Sequence, residues 1–278
     1  MVFNSYSKIN LTLTINSKKK SGLHEIQSYY CLINLNDKIK IKKINNKKDK
    51  IYFKGPFAKY VKRSDNSIIN LLSFLRKQKL ISNFYSIIVN KKIPVFGGLG
   101  GGASNAVFIL KSLLKRKINK NIFNKLEKLI GSDFRLFFHR QGFLDNTKSV
   151  KILKKKHKLI FVLLRPNIHC STKEIYSRVK SYTKKDKFNS HKTNTKKKFI
   201  NYILNNKNDL QSIVEKKSPK VKRLVEYIKL QKGCYFSRMT GSGSACFGIF
   251  HNQKTARAGL TRIKRKFPNY WSLITKTI

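Results

Sequence analysis

The chain has 278 residues, of which 40% are hydrophobic and 12% aromatic, so it can bury a large core and is not a disordered segment. Its formal net charge is +50, which taken alone predicts nucleic-acid binding. However, the excess is mainly lysine spread along the whole chain, and it accompanies abundant Asn, Ile, Phe and Tyr, all encoded by A/T-rich codons. Mutational drift is therefore favoured over a selected nucleic-acid surface, although the charge would still attract anionic substrates.

Apolar stretches and cysteines narrow the possible locations and cofactors. No run of 18 apolar residues is present to span a membrane, and the N-terminal residues lack the pattern of a signal or transit peptide. The four cysteines are scattered, without a C-x-x-C pair or a histidine spacing suited to zinc, which predicts reduced thiols and no metal-ligating residues. We therefore expect a soluble, cytoplasmic protein without a membrane partner.

The N-terminal part of the chain begins with a strand pattern. Apolar and polar residues alternate between positions 6 and 15, which predicts a half-buried strand whose exposed face carries Lys8 and Asn10. A turn at residues 17–22 leads into a segment that contains His24. Further on, Ser64-Asp65-Asn66 precedes an apolar helical pattern, which predicts a helix with Asp65 as its capping residue.

A glycine-rich stretch at residues 94–106 is the strongest local signal. Five glycines fall within six residues, directly before an apolar run at residues 107–114. Glycine allows successive backbone N–H groups to converge on one point, and a helix that begins here adds the positive end of its dipole. The stretch therefore predicts a phosphate-binding loop.

Spacing separates the known types of phosphate loop. The P-loop pattern fails because no lysine follows the last glycine, and the dinucleotide pattern lacks an acidic residue about 20 positions further on. A flexible linker is disfavoured because a strand precedes the stretch and a helix follows it. Further along, helix signals at residues 121–130 end at Gly131, and Asp133 follows among aromatic residues. Asp133 is either another helix cap or a functional carboxylate.

The remainder of the chain predicts a second domain. Residues 184–198 are polar and low in complexity, which predicts a mobile loop. The elements on either side are a strand at residues 159–164, a helix opened by Ser171 and Glu174, helices near 208–210 and at 219–231, a strand at 234–238, a glycine turn at 240–244, a strand at 245–250, a helix at 255–266 and a strand at 270–275. This order of strands and helices suits a ferredoxin-like sheet. We place the two domains at residues 1–157 and 158–278.

Four segments, taken together, resemble the GHMP small-molecule kinases, which include galactokinase, homoserine kinase and mevalonate kinase. They are Ser-Lys-Ile-Asn-Leu with Ser-Gly-Leu-His-Glu-Ile, then Pro-x-x-x-Gly-Leu-Gly-Gly-Gly-x-Ser-x-Ala, then Gly-Ser-Asp-Phe-Arg-Leu-Phe-Phe, and finally Ser-Arg-Met-Thr-Gly-Ser-Gly-Ser-Ala-Cys-Phe. The resemblance implies an α+β, two-domain GHMP kinase fold, with an N-terminal ribosomal-protein-S5-domain-2-like domain and a C-terminal ferredoxin-like domain.

The same resemblance implies a site. Asp133 would be the catalytic base and Lys8 would lie between the acceptor hydroxyl and the γ-phosphate of ATP, with Mg2+ neutralising the phosphates. ATP-binding roles are implied for Asn66, Lys91, Pro94, Gly97, Gly98, Leu99, Gly100, Gly101, Gly102, Ala103 and Ser104. Substrate-binding roles are implied for Asn10, His24, Thr172 and Tyr176, with Tyr176 offering an aromatic face to a base.

The Gly-Leu-His-Glu segment resembles one branch of the family, which phosphorylates the 2-hydroxyl of a cytidine diphosphate derivative of methylerythritol. We therefore expect that small molecule as substrate, and a monomer or homodimer. Three departures from the branch concern the substrate: Leu23 replaces an aromatic residue, Arg135 replaces a proline, and residues 144–148 replace a Gly-x-Gly stretch. The alternatives are another GHMP kinase of the homoserine or mevalonate type, and a basic nucleic-acid-binding protein on the same fold.

Overall fold

The structure is a computed structural model that describes residues 1–20, 22–114, 118–147 and 149–278. Ser21 of the predicted turn and Lys148 of the segment that replaces Gly-x-Gly lie outside the described residues. The chain forms two compact units. Unit 1 consists of Met1–Lys8, Leu35–Val95 and Gly100–Phe138, and unit 2 of Ile9–Asn34, Phe96–Leu99 and His139–Ile278. The domain boundary predicted at residue 158 falls within unit 2 and remains a prediction.

Eleven strands and eight α-helices are found in the described residues. The strands are β1 (Val2–Asn10), β2 (Thr14–Lys18), β3 (His24–Ile44), β4 (Lys50–Lys54), β5 (Phe84–Asn90), β6 (Gln141–Asn146), β7 (Ser149–Ile152), β8 (Ile160–Arg165), β9 (Cys234–Met239), β10 (Cys246–Phe250) and β11 (Trp271–Lys276). The helices are α1 (Ser67–Lys77), α2 (Gly101–Leu113), α3 (Lys120–Ile130), α4 (Thr172–Ser177), α5 (Lys196–Leu204), α6 (Asp209–Lys217), α7 (Pro219–Lys229) and α8 (Gln253–Lys266).

Unit 1 packs helices α1, α2 and α3 together beside a sheet. Its sheet contains the C-terminal half of β3, which pairs antiparallel with β5, while β4 pairs parallel with β5. Helix α1 buries residues at the i, i+3, i+4 and i+7 spacing of a single helical face, namely Ile68, Leu71, Leu72 and Leu75. The start of α2 is thereby fixed within a packed layer of helices.

Unit 2 contains a four-stranded antiparallel sheet with the order β11-β8-β10-β9. Helices α7 and α8 pack against this sheet. The strand order, with α7 before β9 and α8 before β11, is that of a ferredoxin-like domain, so that prediction is confirmed, and α4, α5 and α6 are additional helices between β8 and α7. The N-terminal half of β3 also lies in unit 2, where it pairs with β2 and β6.

Two local predictions are corrected by the structure. The strand predicted at residues 6–15 ends at Asn10, and its polar residues are not solvent-exposed, because Lys8 and Asn10 are both buried. Residues 184–198, predicted to be mobile, include a 3-10 turn at Ser190–Thr193 and the start of α5. The backbone of Asp186 in this segment both donates to and accepts from the buried side chain of Gln27, each at 2.8 Å.

The prediction that the four cysteines are free thiols is confirmed. Cys31, Cys170, Cys234 and Cys246 are all free, and burial raises the pKa of each thiol, that of Cys234 to about 12. A thiol with a raised pKa is a poor nucleophile, so these residues pack as small apolar side chains. No helix among the described residues has both the length and the apolar character needed to cross a membrane.

Candidate active site

The first turn of α2 in unit 1 presents backbone donors. The helix begins at Gly101, and Gly100 precedes it in the left-handed conformation, with φ of +68°. The N–H of Ser104 is the first to bond back into the helix, to the carbonyl oxygen of Gly100 at 2.9 Å. In an α-helix the N–H groups ahead of that bond have no intrahelical acceptor, and the helix dipole is positive at this end. The N–H groups of Gly101, Gly102 and Ala103 are therefore available to bind an anion.

Gly100 brings the start of α2 into contact with two charged side chains. A Cβ atom added at this position would lie 2.8 Å from Cζ of Phe137, 3.1 Å from Oδ2 of Asp133 and 3.2 Å from Cε of Lys8. Real Cβ atoms essentially never approach other atoms within 3.0 Å. Both the positive φ and the lack of space require glycine here.

Lys8 and Asp133 form an ion pair, in which Nζ of Lys8 lies 3.3 Å from Oδ1 of Asp133. The Lys8 side chain is 3% exposed, whereas that of Asp133 is 34% exposed. Asp133 directly precedes a 3-10 turn at Phe134–Phe138, whose buried phenylalanines anchor it in unit 1. A carboxylate that is open on one side and paired with a buried ammonium can accept a proton from a ligand, while the ammonium neutralises nearby negative charge.

A second buried ion pair lies under the start of α2. Nζ of Lys91 is 2.5 Å from Oδ2 of Asp37, and Asp37 is fully buried. Oδ1 of Asp37 accepts the N–H groups of Lys92 and Ile93, at 2.7 and 2.8 Å. A Cβ atom at Gly101 would lie 2.8 Å from Nζ of Lys91, so this cation lies directly against the first residue of the helix. The resemblance indicated Lys91 but not Asp37, although an acidic residue within a strand of so basic a chain was an available signal.

The side chains of Asn66 and Ser104 form hydrogen bonds with backbone groups of unit 1. Oδ1 of Asn66 accepts the N–H groups of Ile68 and Ile69 and so caps α1, whereas the helical pattern pointed to Asp65 as the cap. Ser104 is buried, and its hydroxyl donates to the carbonyl oxygen of Tyr6 at 2.5 Å. These contacts hold the starts of α1 and α2 in place. Direct contact of either side chain with ATP remains a prediction.

The glycine stretch also has a part that belongs to unit 2. The N–H groups of Ser244 and Ala245 donate to the carbonyl oxygens of Phe96 and Gly97, each at 3.3 Å. Gly98, with φ of +70°, lies so close to the carbonyl oxygen of Thr240 that a Cβ atom would collide with it. The two glycine turns predicted from the sequence therefore pack against each other. Pro94 in unit 1 and Leu99 in unit 2 are both buried.

The predicted substrate residues all lie in unit 2. The ring of His24 lies 5.3 Å from that of Tyr176, between centroids, and 6.5 Å from that of Tyr182, which sequence reasoning did not identify. Burial, together with the charge of Lys18, lowers the pKa of His24, so the imidazole is neutral at pH 7. A neutral imidazole has one donor and one acceptor nitrogen, which suits the edge of a heteroaromatic base.

Two further predicted residues are held by hydroxyl groups. The N–H of buried Asn10 donates to Oγ1 of Thr240 at 2.9 Å, and its Nδ2 donates to Oγ of Ser28 at 2.8 Å. Oγ1 of Thr172 lies 2.9 Å from Oγ of Ser242. These bonds fix the orientation of the Asn10 amide and connect the first turn of α4 to the second glycine turn.

The chain is similar to several known proteins. A family model described as GHMP kinases C terminal matches residues 191–269. The chain is 39% identical to 4-diphosphocytidyl-2-C-methyl-D-erythritol kinase of Pelagibacter ubique (strain HTCC1062), covering 99% of this chain and 98% of that one. It is 28% identical to the enzyme of the same name from Wolbachia pipientis wMel, covering 98% and 96%. A crystal structure of 4-(cytidine 5'-diphospho)-2C-methyl-D-erythritol kinase superimposes with a TM-score of 0.75 at 20% identity, over the full length of both chains.

Proposed function

The chain belongs to the 4-diphosphocytidyl-2-C-methyl-D-erythritol kinase family of GHMP kinases, and on that premise we propose that it transfers the γ-phosphoryl group of ATP to the 2-hydroxyl of that cytidine compound. The reaction is a step in the synthesis of isoprenoid precursors by the non-mevalonate route. The observation that carries the proposal is the Lys8–Asp133 ion pair against Gly100, because it places a proton acceptor beside the N-terminal anion site of a helix.

Asp133 and Lys8 share the chemical step. The 2-hydroxyl oxygen of the substrate attacks phosphorus, and Asp133 accepts the proton of that hydroxyl. The carboxylate can do so because one side of it is exposed. Lys8 keeps its ammonium against that carboxylate and neutralises the negative charge of the transferring group. Phosphoryl transfer depends mainly on positioning and electrostatic stabilisation, which is what a buried ion pair beside backbone donors provides.

The triphosphate of ATP fits the start of α2. Gly101, Gly102 and Ala103 provide its N–H donors, and Lys91 contributes a positive charge directly beneath Gly101. Gly100 permits close approach because it has no side chain. Gly97, Gly98 and Leu99 support the loop through their packing, and Asn66 and Ser104 fix the two neighbouring helix starts.

Mg2+ fits this site as a companion of the nucleotide. The described residues contain no group of three or more His, Cys, Asp or Glu side chains able to hold a metal ion. Mg2+ commonly retains several waters and binds through substrate phosphates with one or two carboxylates. Because Asp133 is assigned to the hydroxyl proton, the phosphates and water molecules would hold the ion. The ion would supply charge neutralisation at the phosphates.

The cytidine end is assigned to unit 2. Neutral His24 reads the edge of the base, Tyr176 contacts its face, and Asn10 and Thr172 hold polar groups of the substrate. We further propose a cytoplasmic location, since four free thiols suit a reducing compartment. A monomer or homodimer remains the expected state.

The test is a coupled assay of ADP release with ATP and Mg2+, run in parallel with the cytidine substrate, homoserine and mevalonate. Of the three substrates, we expect turnover only with the cytidine compound. Phosphorus NMR of its product should show a new phosphomonoester on the 2-hydroxyl. Turnover with homoserine or mevalonate instead would assign the chain to another kind of GHMP kinase. Failure with all three in a folded, ATP-binding protein would contradict the proposed activity.

The full-length relatives do not favour a nucleic-acid-binding role.

A further inference from the structure

His24 has an aromatic neighbour that the family resemblance does not provide. Tyr182 lies in the segment that follows α4, and its ring centroid is 6.5 Å from that of His24, at an interplanar angle of 38°. The side chain is 48% exposed, so a large part of its surface is open to a ligand. Tyr182 therefore presents aromatic surface beside the histidine that is proposed to read the base.

The residue next to Tyr182 is held by two backbone hydrogen bonds and one side-chain hydrogen bond. The N–H of Thr183 donates to the carbonyl oxygen of Ile15 at 2.7 Å, and its carbonyl oxygen accepts from Nδ2 of Asn16 at 2.9 Å. The Thr183 hydroxyl donates to Oδ2 of Asp209 at 2.8 Å. An exposed aromatic side chain on a fixed backbone contacts a ligand at low entropic cost, because only its own two side-chain torsions need to be ordered.

The residue that precedes His24 indicates a role for the exposed ring of Tyr182. Leu23 stands where the resemblance implies an aromatic residue, and it is 68% exposed. We propose that Tyr182 supplies the aromatic face that Leu23 lacks and is thereby a specificity-determining residue for the cytosine base. This inference rests on the proposed function, because it identifies a further recognition residue for the same substrate.

Aromatic stacking sets the expected size of the effect. Removing an aromatic side chain that stacks on a nucleic-acid base costs about 1–3 kcal/mol, which corresponds to about 5- to 150-fold in affinity. Tyr182→Ala should therefore raise the KM for the cytidine substrate and its Kd, measured without ATP, by about 5- to 150-fold. The KM for ATP and the kcat should stay within about twofold, because stacking on the base binds ground state and transition state equally.

Two matched variants separate stacking from a structural role. Tyr182→Phe keeps the ring and should retain wild-type KM, since the hydroxyl is not required for stacking. Tyr52→Ala removes another tyrosine of similar exposure, 54%, on β4 of unit 1, and should leave all constants unchanged. A wild-type Kd in Tyr182→Ala would overturn the inference, as would an equal loss in Tyr182→Phe.

Restoring an aromatic residue at position 23 provides the sharpest test. Adding Leu23→Tyr to Tyr182→Ala should recover at least part of the lost affinity for the cytidine substrate, because either side chain would offer a ring to the base. No recovery, with the double variant folded, would contradict the exchange of roles. If the wild-type protein does not phosphorylate the cytidine compound at all, the proposed function fails. If it does so and Tyr182→Ala is unaltered, only the inference fails.

Discussion

At the scale of single residues, the Lys8–Asp133 ion pair makes the most direct prediction. Asp133→Asn is nearly isosteric but removes the proton acceptor, so kcat should fall by about two to four orders of magnitude, the usual range for a positioned general base. Lys8→Met keeps the length of the side chain and removes its charge. Its kcat should therefore also fall, by a larger factor than its KM for the substrate changes. Steady-state kinetics with the cytidine substrate measure both.

The double variant tests whether the two residues act on one event. If they do, Lys8→Met combined with Asp133→Asn should be little worse than the more impaired single variant, because coupled effects do not multiply. Glu127→Gln is the matched control, since it breaks another ion pair of unit 1, with Arg135. That control should keep wild-type kcat. Near-normal turnover in Asp133→Asn would show that Asp133 is not the base.

Gly100 makes a second residue-scale prediction. A Cβ atom at this position would press on Phe137, Asp133 and Lys8 and would also strain a backbone with φ of +68°. Gly100→Ala should therefore weaken ATP binding at least tenfold and lower kcat, while the protein stays folded. Isothermal titration calorimetry measures ATP affinity, steady-state kinetics measure kcat, and a urea unfolding curve shows whether the protein is folded.

Gly22 separates steric interference from backbone strain. Its φ is +80°, and a Cβ atom there would meet nothing within 4 Å. Gly22→Ala should cost about 1–2 kcal/mol of stability, the price of the left-handed conformation alone, with unchanged ATP affinity. If Gly22→Ala and Gly100→Ala weaken ATP binding equally, the contact of Gly100 with the catalytic pair is not what matters.

Residue patterns predicted part of this site and missed the rest for physical reasons. The glycine stretch was found because its spacing directly reflects backbone geometry. Lys8 and Asn10 were placed on an exposed face, because alternation within one strand does not reveal what covers its second side. Tyr182 was missed because its neighbour His24 is 158 positions away in the chain and no local pattern connects them.

At the scale of elements, α2 depends on the buried pair beneath its first residue. Asp37→Asn keeps an oxygen that can accept the N–H groups of Lys92 and Ile93 but leaves the Lys91 ammonium buried without its counter-charge. Removing one partner of a buried ion pair typically costs about 3–5 kcal/mol. Urea unfolding should show a loss of that size for Asp37→Asn.

A second substitution distinguishes the lost charge from lost packing. Adding Lys91→Met to Asp37→Asn removes the unpaired ammonium, so the double variant should be more stable than Asp37→Asn alone. A double variant that is less stable by the sum of both single losses would show that the pair does not act through its charges.

Elements with strong local patterns were predicted well. The strands and helices between residues 219 and 276 were found to within about two residues, because periodicity, caps and turns agree there. Residues 184–198 were predicted to be mobile, since their composition is polar. Their order depends on distant partners such as the Gln27 side chain, which composition cannot reveal.

At the scale of the whole molecule, the two units interleave along the chain, so no single boundary follows from composition or periodicity. Strands β1 and β3 each contribute residues to both units. The order of the four motifs nevertheless indicated the correct family, because each motif is local. Long strands that pass from one compact unit to another are a property of tertiary pairing, which a single sequence does not display.

The net charge of +50 makes the last prediction. If the excess is diffuse, binding to random duplex DNA should weaken only gradually with salt, whereas a dedicated face that neutralises six to ten phosphates gives a slope of log affinity against log salt of about −5 to −9. We expect a slope shallower than about −4, measured by fluorescence anisotropy between 50 and 200 mM salt.

Charge reversal at two places on the surface decides between a diffuse field and a face. Lys264, Arg265 and Lys266 are exposed in the last turn of α8, and Lys220, Lys222 and Arg223 are exposed on α7. In a diffuse field, replacing either triple with glutamate should reduce DNA affinity by a similar, modest factor, because every lysine contributes through the summed potential. Neither triple should change kcat. If one replacement abolishes DNA binding while the other has no effect, the charge is organised into a binding face and drift is not its explanation.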